Sequence, residues 1–444
     1  MSLTAQQTQS TQLAEQINQN LSAPEAIAPP VKHHQIVIVG GGAAGITVAA
    51  QLLKRNRSLD IAIMEPSDKH YYQPGWTLVG GGVAPIDKFI RDEKDVIPKG
   101  ATWIQARVVK LDPDRDTVIT EAGQTIEYDY LVLCPGIQID WHLIKGLKEA
   151  LGQGGVTSNY SKDYAPYTWE TIQAFKGGNA LFTYPATPIK CGGAPQKVMY
   201  MADDIFKRKS GVGVSTTVMF CTVGASMFAV PEYSASLDKV VARRGIVTKF
   251  NHNLKEIKAD TQEAIFDVTT DDGVEEISIH YDMIHVAPPM SAPDFIKHSP
   301  LAVSGTGGWV DVDKTTLQHT RYANVFSLGD ASSLPTSKTA AAARKQAPIV
   351  VQNLLSLMQA QPMAAEYDGY TCCPLITGYN STIMAEFAYG GKLAPSFPLD
   401  PTQERYSMYL AKAHVLPWLY WNRMLKGEGF EADIFKPINK LLRR

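Results

Sequence analysis

Six consecutive residues of this 444-residue chain, Gly40-Gly41-Gly42-Ala43-Ala44-Gly45, read G-x-G-x-x-G. The apolar run 36–39 precedes them and a helical stretch, 46–53, follows. A second strand-like run, 61–65, ends on Glu65, 20 residues past Gly45. Each part suits a dinucleotide. Gly40 permits a tight turn, Gly42 lets the backbone approach a pyrophosphate, and Gly45 lets the helix lie on the strand. The helix N-terminus favours phosphate charge, and Glu65 can accept the ribose hydroxyls. Sulfur offers a second chemistry, at Cys134, Cys191, Cys221, Cys372 and Cys373. Cys191 follows Lys190, and a helix is expected just beyond Pro195. A neighbouring cation and a helix N-terminus both lower a thiol pKa and favour the reactive thiolate.

These groups need a frame to hold them. Strand character recurs at 102–109, 117–120 and 130–133. A new block opens near Asn179, with a strand at 180–183, a helix over 196–208, a strand at 216–221 and a helix over 232–243. Strands return at 282–288 and at 324–328, the latter running into Gly329-Asp330, and a helix covers 340–358. The pattern predicts an α/β fold of two Rossmann-like dinucleotide-binding units, the second inserted in the first. Residues 35–150 and 281–345 form the first unit and 151–280 the second. Residues 346–444 form an aromatic-rich C-terminal region of different character, and 1–34 a loosely ordered tail.

Composition narrows the function. Lys and Arg number 42 against 44 Asp and Glu, a net charge of −2, so no nucleic-acid partner is expected. An odd number of cysteines in a chain without a secretory leader argues against a disulfide framework. No apolar run reaches the length of about 18 residues that a spanning helix needs, so membrane contact is expected to be peripheral. The first 34 residues hold no Arg and no long apolar core, unlike a signal or transit peptide. The expectation is therefore a bacterial protein on the cytoplasmic side of a membrane. No metal site is expected, and homo-oligomerisation is left open.

Residues 320–330 read T-R-Y-A-N-V-F-S-L-G-D, which resembles the flavoprotein motif whose terminal Asp bonds the ribitol chain of FAD. The corresponding strand of the second unit ends Phe220-Cys221-Thr222-Val223-Gly224-Ala225-Ser226, with Gly224 but no G-x-G-x-x-G. A second pyrophosphate could not approach that backbone closely, so electrons are expected from a small substrate.

Three stretches then resemble the sulfide:quinone oxidoreductases, nearest the branch that includes the mitochondrial enzymes. They are Tyr71-Tyr72-Gln73-Pro74-Gly75-Trp76-Thr77-Leu78-Val79-Gly80, Pro188-Ile189-Lys190-Cys191-Gly192-Gly193-Ala194-Pro195-Gln196-Lys197 and Leu334-Pro335-Thr336-Ser337-Lys338-Thr339-Ala340-Ala341-Ala342. Pro288-Pro289-Met290-Ser291 and residues 370–379 add to the likeness, which runs from about 34 to about 425. The resemblance implies a fold like glutathione reductase, bound FAD, hydrogen sulfide as donor and a quinone as acceptor, with sulfane sulfur passing to sulfide or a small thiol. Gly40, Gly42, Ala43, Ala44, Gly45, Glu65, Gln73, Val109, Gly329 and Asp330 are the expected cofactor contacts, and Cys191 is the first catalytic cysteine.

The family usually has its second cysteine directly after the Gly-Asp pair, where this chain has Ala331. Several outcomes follow from that departure. Cys134, in Leu133-Cys134-Pro135-Gly136, is a candidate substitute. Cys373 matches a cysteine common in the branch, although Cys372-Cys373 cannot readily bridge to each other. Cys191 working alone, or loss of the activity, are the other outcomes. Lys338 is a candidate proton or charge partner near the quinone. The apolar, aromatic segment 415–426, with Arg423 and Lys426, is the expected docking surface on a membrane. An NADH:quinone oxidoreductase-like flavoenzyme and a non-catalytic sulfide or persulfide sensor remain as alternatives.

Overall fold

Ile36, Val37, Ile38 and Val39 are all buried. A strand covered on both faces reads as an unbroken apolar run, the mark of a central parallel strand. In the computed structural model, which describes residues 31–209 and 211–429, these residues end the first strand. The strands of the first unit are β1 (Lys32–Val39), β2 (Ile61–Met64), β3 (Lys69–Tyr71), β4 (Ile90–Asp92), β5 (Ala101–Ile104), β6 (Val108–Asp112), β7 (Thr117–Thr120) and β8 (Thr125–Leu133). Residues 1–30 of the expected tail lie outside the described residues.

The main sheet has the order β5-β2-β1-β8-β7-β6, and the strand Val325–Ser327 pairs with β8. Strands β1, β2, β5 and β8 and the Val325–Ser327 strand run parallel, while β7 and β6 are antiparallel additions. Register decides what this sheet can do. Val39 lies opposite Met64 and Leu133, and Leu133 lies opposite Ser327. These strands therefore end level at one edge. The glycine loop, Glu65, Cys134 and Gly329-Asp330 all leave from there, which is the crevice where open α/β sheets bind ligands. The helix Ala43–Arg55 starts at that edge from Gly42 and packs along the helix Ala340–Met358. β3 and β4 form a small antiparallel hairpin beside it.

The second sheet is wholly parallel, with the order Val156–Thr157, Met283–His285, Gly178–Tyr184, Thr216–Thr222, Val247–Lys249. Its helices are Ala194–Arg208 and Pro231–Arg244. Because Met283–His285 pairs into this sheet, the chain returns to the first unit after residue 285, not at 281. The run expected as one strand over 102–109 divides into β5 and β6. Ala106 N–H bonds to the Ile104 carbonyl at 2.9 Å and turns the chain between them.

Two elements were not legible beforehand. Strands His252–Lys258, Glu263–Thr270 and Gly273–His280 form an antiparallel sheet, and Thr371–Gly378 pairs with Ser381–Phe387 in a hairpin. All eight residues of Thr371–Gly378 are buried, threonines and cysteines included. With both faces covered, the strand lacks the polar–apolar alternation by which a half-exposed strand is recognised. The chain then forms the helix Tyr406–Leu410, a π-helical turn Ala411–Val415 and the helix Leu416–Asn422. Among the described residues no helix is long and apolar enough to cross a membrane.

Candidate active site

Cys191 sits in the loop between the Gly178–Tyr184 strand and the Ala194–Arg208 helix. Its φ of +55° is one that residues other than glycine adopt only at some cost. Two backbone bonds hold it there. Its N–H donates to the Lys338 carbonyl at 2.8 Å, and its carbonyl accepts from Ala194 N–H at 2.8 Å. The loop is thereby stitched to the segment that follows the Gly329-Asp330 turn.

The second sulfur comes from the C-terminal hairpin. Successive strand residues point to opposite faces, so Cys372 and Cys373 turn away from each other. Cys373 faces Cys191, with the two sulfurs 3.4 Å apart. Cys372 faces the other way, its Sγ 3.4 Å from Met384 Sδ. All five cysteines are free thiols, and 3.4 Å is well beyond the ~2 Å of a formed disulfide. Gly193 makes the approach possible, since a Cβ there would lie 2.6 Å from Cys373 Sγ and 2.2 Å from Leu375 Cδ2.

In the first turn of the helix that follows Cys191, buried Lys197 places Nζ 3.0 Å from Cys191 Sγ. The hydrogen bond between the two sulfurs, with the Lys197 charge, holds Cys191 well below the ordinary thiol range against the opposing effect of burial. Cys373 is pushed up by the same hydrogen bond and by burial. These opposite directions favour the thiolate on Cys191 over that on Cys373. Lys412, also buried, is turned inward by the π-helical turn and donates to the Pro74 carbonyl at 2.8 Å. Burial, and then repulsion from Lys197, lower its pKa to about 7, with the cysteine thiolates opposing. Neither Lys197 nor Lys412 was anticipated as a site residue. The helix expected just beyond Pro195 puts Lys197 in the turn next to the Cys191 loop and could have pointed to it, whereas nothing local points to Lys412.

The other expected residues divide. Gly329, at φ +72°, lies against Ala44, whose Cβ is 3.5 Å from the Cβ position of Gly329, so the two cofactor motifs meet. Gly40 leaves no room for a side chain against the Cys134 carbonyl, 2.4 Å from its Cβ position. Gly45 leaves none against the Gly40 carbonyl at 2.0 Å, and Gly42 opens onto free space. Ala43 begins the helix at that opening. Glu65 accepts from Gly41 N–H at 3.0 Å and Ser67 N–H at 2.8 Å, and burial raises its pKa. Burial likewise raises Asp330, with Lys338 and Lys190 opposing. Gln73 accepts from Lys190 Nζ at 2.8 Å, and that ammonium stands 4.8 Å over the Trp76 ring. Val109 falls at a register shift in β6 and is 44% exposed.

Three further expectations concern Cys134, Ala331 and Lys338. Cys134 is no partner for Cys191. It lies beneath the glycine loop with Sγ 3.6 Å from the Gly40 carbonyl, and burial pushes its thiol up. Ala331, at the place of the family's usual second cysteine, is fully buried, and the sulfur that lies against Cys191 is that of Cys373. Lys338, the candidate proton or charge partner, is buried. Its Nζ donates to the Asp330 and Ser332 carbonyls, each at 2.8 Å, and lies 3.8 Å from the Trp309 ring centroid, with burial lowering its pKa to about 8. Among the described residues no cluster of His, Cys, Asp or Glu could hold a metal ion.

A family of pyridine nucleotide-disulphide oxidoreductases matches residues 34–165. The mitochondrial sulfide:quinone oxidoreductase of Dictyostelium discoideum is 51% identical over 91% of this chain and 89% of that protein. This chain belongs to the sulfide:quinone oxidoreductase family. The mitochondrial enzyme of Mus musculus is 46% identical over 89% of the chain and 87% of its own length. The crystal structure of the sulfide:quinone oxidoreductase from Aquifex aeolicus superposes with a TM-score of 0.76, covering 93% of this chain and 95% of that one at 19% identity, and shows the shared fold. The cofactor of the family is FAD, and the chain is an FAD-dependent oxidoreductase. The eukaryotic mitochondrial relatives overturn the expectation of a bacterial protein on the cytoplasmic side. That expectation rested on the make-up of the first 34 residues, which carry none of the family's chemistry.

The Lys197 contact makes a direct prediction. In Lys197→Met the pH at which Cys191 becomes reactive moves upward, because a cation that favours the thiolate is gone. Alkylation at neutral pH should slow roughly tenfold or more. An unchanged pH–rate profile would remove Lys197 from the account.

Proposed function

We propose that this chain oxidises sulfide and reduces a quinone, with Cys191 and Cys373 as its redox-active pair. The observation that carries this reading is the contact of the two sulfurs beside the buried Lys197 ammonium. In the oxidised state the pair is a disulfide. Hydrosulfide attacks one sulfur, a new S–S bond forms there, and the other cysteine leaves as a thiolate. The better leaving group is Cys191, whose thiolate Lys197 stabilises, so sulfide adds to Cys373. A thiolate acceptor, either sulfide or a small thiol, then takes the outer sulfur from Cys373 as a persulfide and leaves the second thiolate. Rejoining the two thiolates as a disulfide releases two electrons. FAD bound at the carboxyl edge of the first sheet supplies the two-electron acceptor between these thiolates and the quinone. The sum is H2S plus a thiol plus quinone going to a persulfide plus hydroquinone.

Gly40, Gly42, Ala43, Ala44, Gly45 and Glu65 hold the adenosine and pyrophosphate end in this reading. Asp330 holds the ribitol, with Gly329, Gln73 and Val109 as further contacts. Lys338 keeps the Asp330 turn in place through two carbonyls. The first unit carries the cofactor, the second brings Cys191, and the C-terminal region brings Cys373, Lys412 and the quinone side.

The C-terminal helices support peripheral docking on a membrane, over a surface that only partly overlaps the one expected. Within 415–426, Pro417, Leu419, Tyr420, Met424 and Leu425 are buried in the protein, and Arg423 pairs with Glu428. The exposed apolar residues are Tyr406 (57%), Leu410 (38%), Val415 (49%) and Trp418 (57%). They follow helical spacing with one residue added by the π-helical turn, so they share a face. A lipid-soluble acceptor suits such a face.

Two experiments test these readings. In anaerobic titration of the FAD-loaded chain, sulfide should bleach the flavin band and a short-chain quinone should restore it. Cys191→Ser and Cys373→Ser should each slow the bleaching by about 10²-fold or more. Bleaching by sulfide that persists at full rate in both variants would rule out the pair. Replacing Leu410 and Trp418 by serine should weaken sedimentation with phosphatidylcholine vesicles roughly tenfold or more, and undiminished sedimentation would contradict the docking face.

A further inference from the structure

The cofactor edge holds a second buried acid that the sulfur chemistry does not use. Glu93 follows β4 and opens the short helix Glu93–Val96, and only 1% of it is exposed. Its Oε2 lies 3.1 Å from His70 Nδ1, and His70 Nε2 lies 2.6 Å from the Tyr420 hydroxyl. One arrangement of protons satisfies all three groups. Tyr420 O–H donates to Nε2, and Nδ1–H donates to Glu93.

Glu93 Oε1 has no hydrogen-bond partner among the described residues. Leaving a buried acceptor unsatisfied is costly, more so for a charged one, and the described residues supply no donor here. The position of this oxygen shows where the donor belongs. A Cβ on Gly41 would meet Glu93 Oε1 at 2.6 Å and Glu65 Cβ at 2.6 Å. Two carboxylates thus flank the middle glycine of the dinucleotide loop. The two Glu65 oxygens already accept one backbone N–H each, whereas the open Glu93 oxygen accepts none.

Behind Glu93, the relay ends on the C-terminal helix. Tyr420 packs against Tyr72 with ring centroids 4.7 Å apart and planes tilted by 53°, Trp421 stands edge-on to His70 at 5.7 Å, and Arg91 lies 4.9 Å over the Trp421 ring. The same run of helices presents Trp418 to solvent and Lys412 toward the sulfur pair.

We propose that Glu93 is a second carboxylate acceptor for the ribose hydroxyls of the bound FAD, and that His70 and Tyr420 couple its engagement to the docking of the Leu416–Asn422 helix. The proposal rests on FAD occupying the glycine loop. A ribose O–H donated to Oε1 fixes the carboxylate, which fixes the His70 ring and hence the Tyr420 hydroxyl. By linkage, whatever FAD contributes to holding the helix, the docked helix returns to FAD affinity.

The test uses the full chain stripped of FAD and reloaded, with two readouts that do not depend on turnover. The first is the FAD dissociation constant from flavin fluorescence. The second is hydrogen exchange of the amides of residues 416–422 with and without FAD. In the unaltered chain FAD should slow that exchange. Glu93→Gln, of nearly the same shape but without the charge, should weaken FAD roughly tenfold or more. Tyr420→Phe should bind FAD within a few-fold of the unaltered chain and lose most of the FAD-dependent slowing. If Glu93→Gln folds poorly, Glu93→Asp replaces it, and its shorter reach should also weaken FAD. An unchanged dissociation constant in the Glu93 variants, even with lowered thermal stability, would make Glu93 a purely structural partner of His70 and overturn the first half. Full FAD-dependent slowing in Tyr420→Phe would overturn the second.

Discussion

Two sulfur atoms from positions 182 residues apart meet at 3.4 Å only because several backbone conditions hold together. Cys191 must accept a left-handed φ, and the loop that imposes it is tied to the Lys338 segment. Gly193 must lack a side chain, since even a methyl group there would occupy the space of Cys373 Sγ. The C-terminal hairpin must then present Cys373, not Cys372, to that loop, and the alternation of its first strand does so. Slipping that strand by one residue would turn Cys373 to the opposite face, away from Cys191.

Charge placement follows from this contact. A buried ammonium is costly unless an anion is near, and Lys197 finds one in the Cys191 thiolate. Lys412 sits in the same field with weaker compensation, so burial and Lys197 bring its pKa down to about 7. The site is therefore electropositive and short of counter-charge, the condition that attracts small anions such as hydrosulfide and holds them as thiolates or persulfides. The π-helical turn that brings Lys412 inward also shifts the helix surface by one residue. One irregularity thus serves both the sulfur site and the outer apolar face. Such turns are frequent at functional sites.

Much of this was legible from the chain alone, for reasons that can be traced. The glycine loop, Glu65 and Gly329-Asp330 declare themselves because a parallel strand, a tight turn and a helix start each demand particular residues within a short span. Cys191 stood out through its neighbours. Cys373 was seen but undervalued. Its importance depends on a fully buried hairpin whose strands carry no alternation, so neither the element nor the facing of its residues could be read locally. Lys412 and the Glu93–His70–Tyr420 relay were hidden for a related reason. Each depends on a contact between segments more than 300 residues apart, and no local pattern records that. The aromatic segment near the C-terminus was noticed, but its inward and outward residues could not be sorted without knowing where the π-helical turn falls.

The central claim is the identity of the sulfur partners, and the most direct measurement is peptide mapping. The full chain would be treated with one equivalent of a disulfide-forming oxidant, quenched in acid, alkylated and digested, and its cross-linked peptides identified by mass spectrometry. The account predicts one linkage, between Cys191 and Cys373, with Cys134, Cys221 and Cys372 recovered as alkylated thiols. A linkage from Cys191 to Cys134 or Cys372, or recovery of all five cysteines unlinked, would contradict it.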